Sequence, residues 1–101
     1  MAEYIKADER APIQVVSPVS GEKAFSLQEL QKCVEGYVEA IPLTPELIMC
    51  VNEDGIMLNK PRNTRATAKL WEYRPSWKGT SIWGDVLIAT LVEMGEGGEE
   101  D

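Results

Sequence analysis

The sequence predicts an α+β domain: a largely antiparallel sheet of about five strands with two helices packed on it. Three observations carry this expectation. Short apolar or β-branched segments recur between turn signals, two stretches place apolar residues at helical spacing, and Asp54-Gly55 offers a two-residue hairpin turn. A chain of 101 residues suits one such domain.

EYIKADE and PIQVVSP read as short extended pieces, with Pro12 and Pro18 bracketing the second and disfavouring helix there. In FSLQELQKCVEGY, Ser26 and Glu29 have capping-box spacing, and Phe25 with Leu30 supplies a hydrophobic staple. Leu27, Leu30 and Val34 then share a helical face beside Cys33, and Gly36 is placed to end the helix in a left-handed conformation. YVEAI enters the sheet, Pro42 and Pro45 mark a loop, and LIMCVN is the next strand. Asp54-Gly55 then turns the chain into IMLN as a returning strand, closed by Pro61. A second helix starts near Asn63 or Thr64 and covers TRATAKLWEY, with Ala66, Leu70 and Tyr73 on one face, until Pro75 ends it. After the loop RPSWKGTS, the segment SIWGDVLIATLV reads as a buried final strand.

The formal charge of −7 is unevenly spread: −6 over 1–59, +4 over 60–92 and −5 over 93–101. Glycine mixed with like charges makes 93–101 a solvated, disordered acidic tail, leaving 1–92 as the domain. The longest nearly apolar run, VLIATLV, is too short to cross a bilayer, and MAEYIKADER lacks the pattern of a signal peptide. A cytoplasmic protein with no membrane partner is expected. Cys33 and Cys50 sit in apolar patterns as core residues, and with no histidine a structural zinc site cannot be assembled in one chain. The same absence removes Ser-His and Cys-His nucleophile pairs. No catalytic residue, metal ligand or cofactor is assigned.

The densest polar stretch is VNEDGIMLNKPRN. A literal hairpin about Asp54-Gly55 pairs Asn52 with Met57 and Cys50 with Asn59. Asn52 and Asn59 become diagonal neighbours, roughly 7 Å apart between Cα atoms, and two such amides suit a ligand with both donors and acceptors. The competing assignment makes Asn52, Asn59 and Asn63 turn and cap residues. Lys60, Arg62 and Arg65 crowd the N-terminus of the second helix, where cations oppose the helix dipole unless an anion is near. KPRNTR is therefore the candidate phosphate or carboxylate site. Trp77, between Pro75 and Gly79, is the aromatic residue expected to be exposed; the other aromatics of 60–83 are assigned to the core.

LQELQKCVEGYVEAI, VNEDG, NKPRNTRAT and IWGDVLI together resemble a domain-of-unknown-function family of small proteins from bacteria, phages and mobile elements. The shared pattern is LQ, G-Y-x-E, N-E-x-G, N followed by A-T, and I-x-G-D. That resemblance points to Gln31, Gly36, Tyr37, Glu39, Asn52, Glu53, Gly55, Asn63, Ala66, Thr67, Gly84 and Asp85. It implies no activity; its mobile-element association suggests an accessory or counter-defence role.

The leading expectation is a non-enzymatic binding module for a small anionic ligand or a protein partner. Its candidate residues are Asn52, Glu53, Asn59, Lys60, Arg62, Asn63, Arg65, Thr67 and Trp77. A second is an acidic interaction factor imitating nucleic acid, and a third a small hydrolase with Glu53 or Asp85 as base. The acidic charge disfavours duplex nucleic acid as a partner, and so small a core is compatible with a homodimer.

Overall fold

A computed structural model describes residues 2–18 and 22–95. Its elements run β1 (Ala2–Ile5), β2 (Gln14–Val16), α1 (Leu27–Val34), β3 (Val38–Thr44), β4 (Leu47–Asn52), α2 (Thr64–Tyr73) and β5 (Val86–Thr90). The strands form one antiparallel sheet in the order β2-β1-β5-β4-β3. The α+β expectation of five strands and two helices holds. Among the described residues no helix is long and apolar enough to cross a membrane.

Alternation along the strands explains why the helices lie on opposite faces. Ile5, Ile41, Met49, Val51, Val86 and Ile88 point to one side and bury Ala66 and Leu70 of α2. Ala2, Cys50, Leu87 and Ala89 point to the other and pack with Phe25, Leu30 and Val34 around α1. The central strand β5 is covered on both sides, so VLIA has no polar alternation and is buried throughout. Leu27, expected on the buried face of α1, is exposed, and Tyr73 is exposed while Trp71 packs against the core of α2.

Local signals set both helix starts. Ser26 Oγ accepts from Glu29 N at 3.1 Å and Glu29 Oε1 accepts from Ser26 N at 2.7 Å, completing the capping box. Asn63 caps α2 through Ala66 N at 3.0 Å. The left-handed residue ending α1 is Glu35, with φ 61°, not Gly36. Gly36 serves close approach: a Cβ there would stand 2.7 Å from Asn52 Nδ2.

The expected hairpin after Asn52 does not form. Both sides of β4 are already paired, with β3 through Met49 and Val51 and with β5 through Ile48 and Cys50, so IMLN cannot return against β4. Residues 53–59 instead make successive turns, with Leu58 N bonded to Asp54 O and Lys60 N to Gly55 O, both at 2.9 Å. Asn59 takes φ 56° there. The diagonal relation of Asn52 to Asn59 dissolves with the hairpin. Two further boundaries shift. Pro42 lies inside β3, which is an edge strand and tolerates a residue without an N–H. The final strand starts at Val86, because 81–85 pairs instead with the segment before α2 through an isolated bridge of Arg62 to Trp83.

The chain also stays packed beyond residue 92. Glu93 is buried, accepts from Thr90 N at 3.0 Å and offers its carbonyl to Phe25 N at 2.7 Å, while Met94 packs near α1. The rest of the expected tail, from 96 onward, lies outside the described residues.

Candidate functional site

The three asparagines have separate positions and separate neighbours. Asn52, 5% exposed, donates to Val34 O at 2.9 Å and Glu35 O at 3.3 Å, and accepts from Asp54 N at 2.7 Å. Asn63 is fully buried and donates to Ile5 O and Gly84 O, both at 2.9 Å, while its Oδ1 caps α2. Thr67 Oγ1 donates to Asn63 O at 2.8 Å and accepts from Ile82 N at 2.9 Å. These side chains stitch β1, α2 and the segment before β5 together, and their hydrogen-bonding atoms face protein. Asn59 is exposed on the outer turn.

The cations of KPRNTR also have partners. Lys60 Nζ meets Glu35 Oε1 at 2.7 Å, and that hydrogen bond and charge hold the Glu35 carboxyl below its ordinary value. Arg65 donates to Lys6 O at 2.8 Å and Asp8 O at 3.0 Å, anchoring the turn after β1. Arg62 is exposed and donates to Ser81 Oγ at 2.9 Å and Thr64 Oγ1 at 3.3 Å. Carboxylate, carbonyl and hydroxyl acceptors thus meet the three cations beside α2, while the buried Arg65 Nε has no hydrogen-bond partner among the described residues. Asp85 is likewise committed, accepting from Ala7 N at 2.9 Å and Tyr4 OH at 3.3 Å.

What the fold does build is a cleft of about 440 Å³ beside β3, on the α2 side of the sheet. Ile41 and Val51 belong to its floor, Trp77, Ile82 and Trp83 to the wall, and residues 53–57 to a lip that meets this wall at Gly55. Trp77, expected to be exposed, is half-buried; it packs on the core, with the Arg74 guanidinium 5.5 Å from its ring centroid. Gly55 lets the lip reach the wall, since a Cβ there would meet Trp83 O at 2.9 Å. Glu39, Glu53 and Asp54 line the cleft, and among the described residues no lysine or arginine does. At the lip Ile56 and Met57 are 69% and 81% exposed, and Leu58 beside them is exposed too.

Of the nine candidates, Asn52, Glu53 and Trp77 line this cleft; Asn59, Lys60, Arg62, Asn63, Arg65 and Thr67 do not. The cleft adds Glu39, Ile41, Ile56, Met57, Ile82 and Trp83. Strand alternation puts Glu39 and Ile41 on one face from sequence alone. That the loop before β5 closes over them is a long-range contact with no local signal. Among the described residues no group of three or more Asp, Glu or Cys side chains has a metal-holding arrangement.

No curated protein and no solved structure matches the chain. A family model described as "Domain of unknown function (DUF3846)" matches residues 4–99, nearly the whole length, and the chain therefore belongs to that family.

Proposed function

We propose that the protein is a non-enzymatic protein-binding module whose partner enters the cleft beside β3. The composition of the cleft carries this reading: an apolar floor and wall, three carboxylates, no base, and a lip of exposed Ile56, Met57 and Leu58. Consecutive exposed apolar residues around a concave apolar surface are what a partner covers. The missing counter-charges for Glu39, Glu53 and Asp54 select a partner that is locally cationic. This favours the protein-partner expectation over the anionic ligand, for which only Arg62 of the three candidate cations Lys60, Arg62 and Arg65 is exposed.

The test is selection of binders from a random 12-residue peptide library displayed on phage, using the intact chain as bait. Enriched peptides should carry net positive charge with apolar residues, and should lose at least tenfold affinity when Met57→Asp or Glu53→Lys is introduced. A selection dominated by acidic peptides, or by peptides indifferent to both changes, removes the reading.

A further inference from the structure

We infer that the partner binds as an added β-strand on the free edge of β3, presenting a lysine or arginine opposite Glu39. This inference rests on the protein-binding reading of the cleft and specifies how that site is engaged.

The edge follows from hydrogen-bond parity. Glu53 N donates to Tyr37 O at 2.9 Å, which makes that facing pair hydrogen-bonded across β3 and β4. Antiparallel pairs alternate, so Glu39 and Ile41 also turn their backbone groups toward Val51 and Met49. The far side of β4 agrees: Leu91 N bonds Glu46 O, which places Ile48 and Cys50 toward β5 and leaves Met49 and Val51 for β3. The N–H and C=O groups of Val38 and Ala40 therefore point away from the sheet, on its outermost strand.

The edge is blocked at one end only. Pro42, the next outward residue, has no N–H, and its carbonyl accepts from Arg74 at 2.6 Å. Proline and a covering cation are ordinary protection for an edge strand. Among the described residues neither protects Val38 and Ala40, and that stretch runs beside the cleft. A strand laid on it gains four backbone hydrogen bonds, and its residue opposite Glu39 points to the cleft side of the sheet.

Charge decides among occupants. A second copy using the same four bonds about a two-fold axis would set Glu39 directly opposite its own mate, a repulsive pairing. The chain's last nine residues carry five acids and no base, so they match the carboxylates no better. A cationic extended segment of another protein fits both edge and cleft.

The experiment uses a cationic peptide from the 12-residue library, the intact chain, and fluorescence anisotropy. Two versions of the peptide are made, each N-methylated on alternate residues. One should lose at least tenfold affinity because its N–H groups face β3, and the other should change by less than twofold. Ala40→Pro should give the same loss as the first peptide. It removes an outward N–H and leaves the β3–β4 bonds intact, and an unchanged urea midpoint confirms its fold. If both methylated peptides and Ala40→Pro bind normally while Glu53→Lys abolishes binding, the cleft reading stands and strand addition is wrong. If Glu53→Lys is also silent, or the library yields no binder, both fall. A dimer in sedimentation that Ala40→Pro dissociates would make a second copy the occupant and overturn the cationic partner.

Discussion

Asn52 Nδ2 lies 2.9 Å from the carbonyl oxygen of Val34, so a side chain at the end of β4 closes the last turn of α1, eighteen residues earlier. The same amide accepts from Asp54 N at 2.7 Å and fixes the start of the lip that borders the cleft. Removing it takes this partner from the buried Val34 carbonyl and from the part-buried Glu35 carbonyl and Asp54 N–H. Asn52→Ala should cost about 1–3 kcal/mol in urea unfolding, the range for orphaned buried polar groups. Asn52→Asp should do no better, because a carboxylate oxygen would face two carbonyls. A loss below roughly 0.5 kcal/mol, or rescue by aspartate, contradicts this arrangement.

Asn63 is separable from an ordinary helix cap by the same logic. A cap needs only the oxygen that accepts from Ala66 N, and aspartate supplies it as well as asparagine. The amide nitrogen here also holds Ile5 O and Gly84 O, joining the end of β1 to the loop before β5. Asn63→Asp should therefore destabilise by about 2 kcal/mol, where a pure cap would lose nearly nothing. Equal thermal midpoints for the wild type and Asn63→Asp would return the residue to a cap alone.

These residues show where sequence and structure part. The capping box at Ser26 and the bounds of α2 are legible because each is decided within about four residues. Asp54-Gly55 failed as a hairpin because its fate is decided by strands elsewhere: β4 is flanked by β3 and β5, and Gly55 is needed for contact with Trp83 O. A favoured turn pair says what the backbone can do locally, and the sheet already had its neighbours. The cleft is half legible for the same reason. Asn52, Glu53 and Trp77 stood out by type, whereas Glu39 and Ile41 become site residues only when the loop 80–83 arrives from forty residues away.

Gly36 and Asn52 should be energetically coupled. A Cβ at Gly36 would stand 2.7 Å from the Asn52 amide nitrogen, closer than real contacts allow. Gly36→Ala should cost about 1–3 kcal/mol in the wild-type background through overpacking. With Asn52→Ala already in place the obstruction is gone, and the same change should cost less by roughly 1 kcal/mol. A double-mutant cycle in urea measures this directly. Additive effects would mean that Gly36 is required for backbone conformation rather than for room.

The fold should lose stability at alkaline pH chiefly through two groups on the α1 side of the sheet, with the Cys33 thiol beside them, also pushed up by burial, adding to the fall. Burial first, and the neighbouring Cys33 second, push the Cys50 thiol from 9.0 up to about 12. Burial and then the charge of Asp85 raise the Tyr4 phenol from 10.0 to about 12. Both raised groups keep their protons in the folded chain where the unfolded chain has lost them. Stability is therefore complete below about pH 9 and falls as pH climbs toward 12, since ionisation favours the unfolded state. For fully buried Cys50 the slope is about 1.4 kcal/mol per pH unit once the unfolded thiol has ionised. The urea midpoint should hold from pH 7 to 8.5 and then drop. Cys50→Val, similar in volume and without a proton to lose, should flatten the first part of the fall, and Tyr4→Phe the part above pH 10. A midpoint constant to pH 11, or a fall that Cys50→Val leaves unchanged, would show that the thiol ionises without opposing the fold.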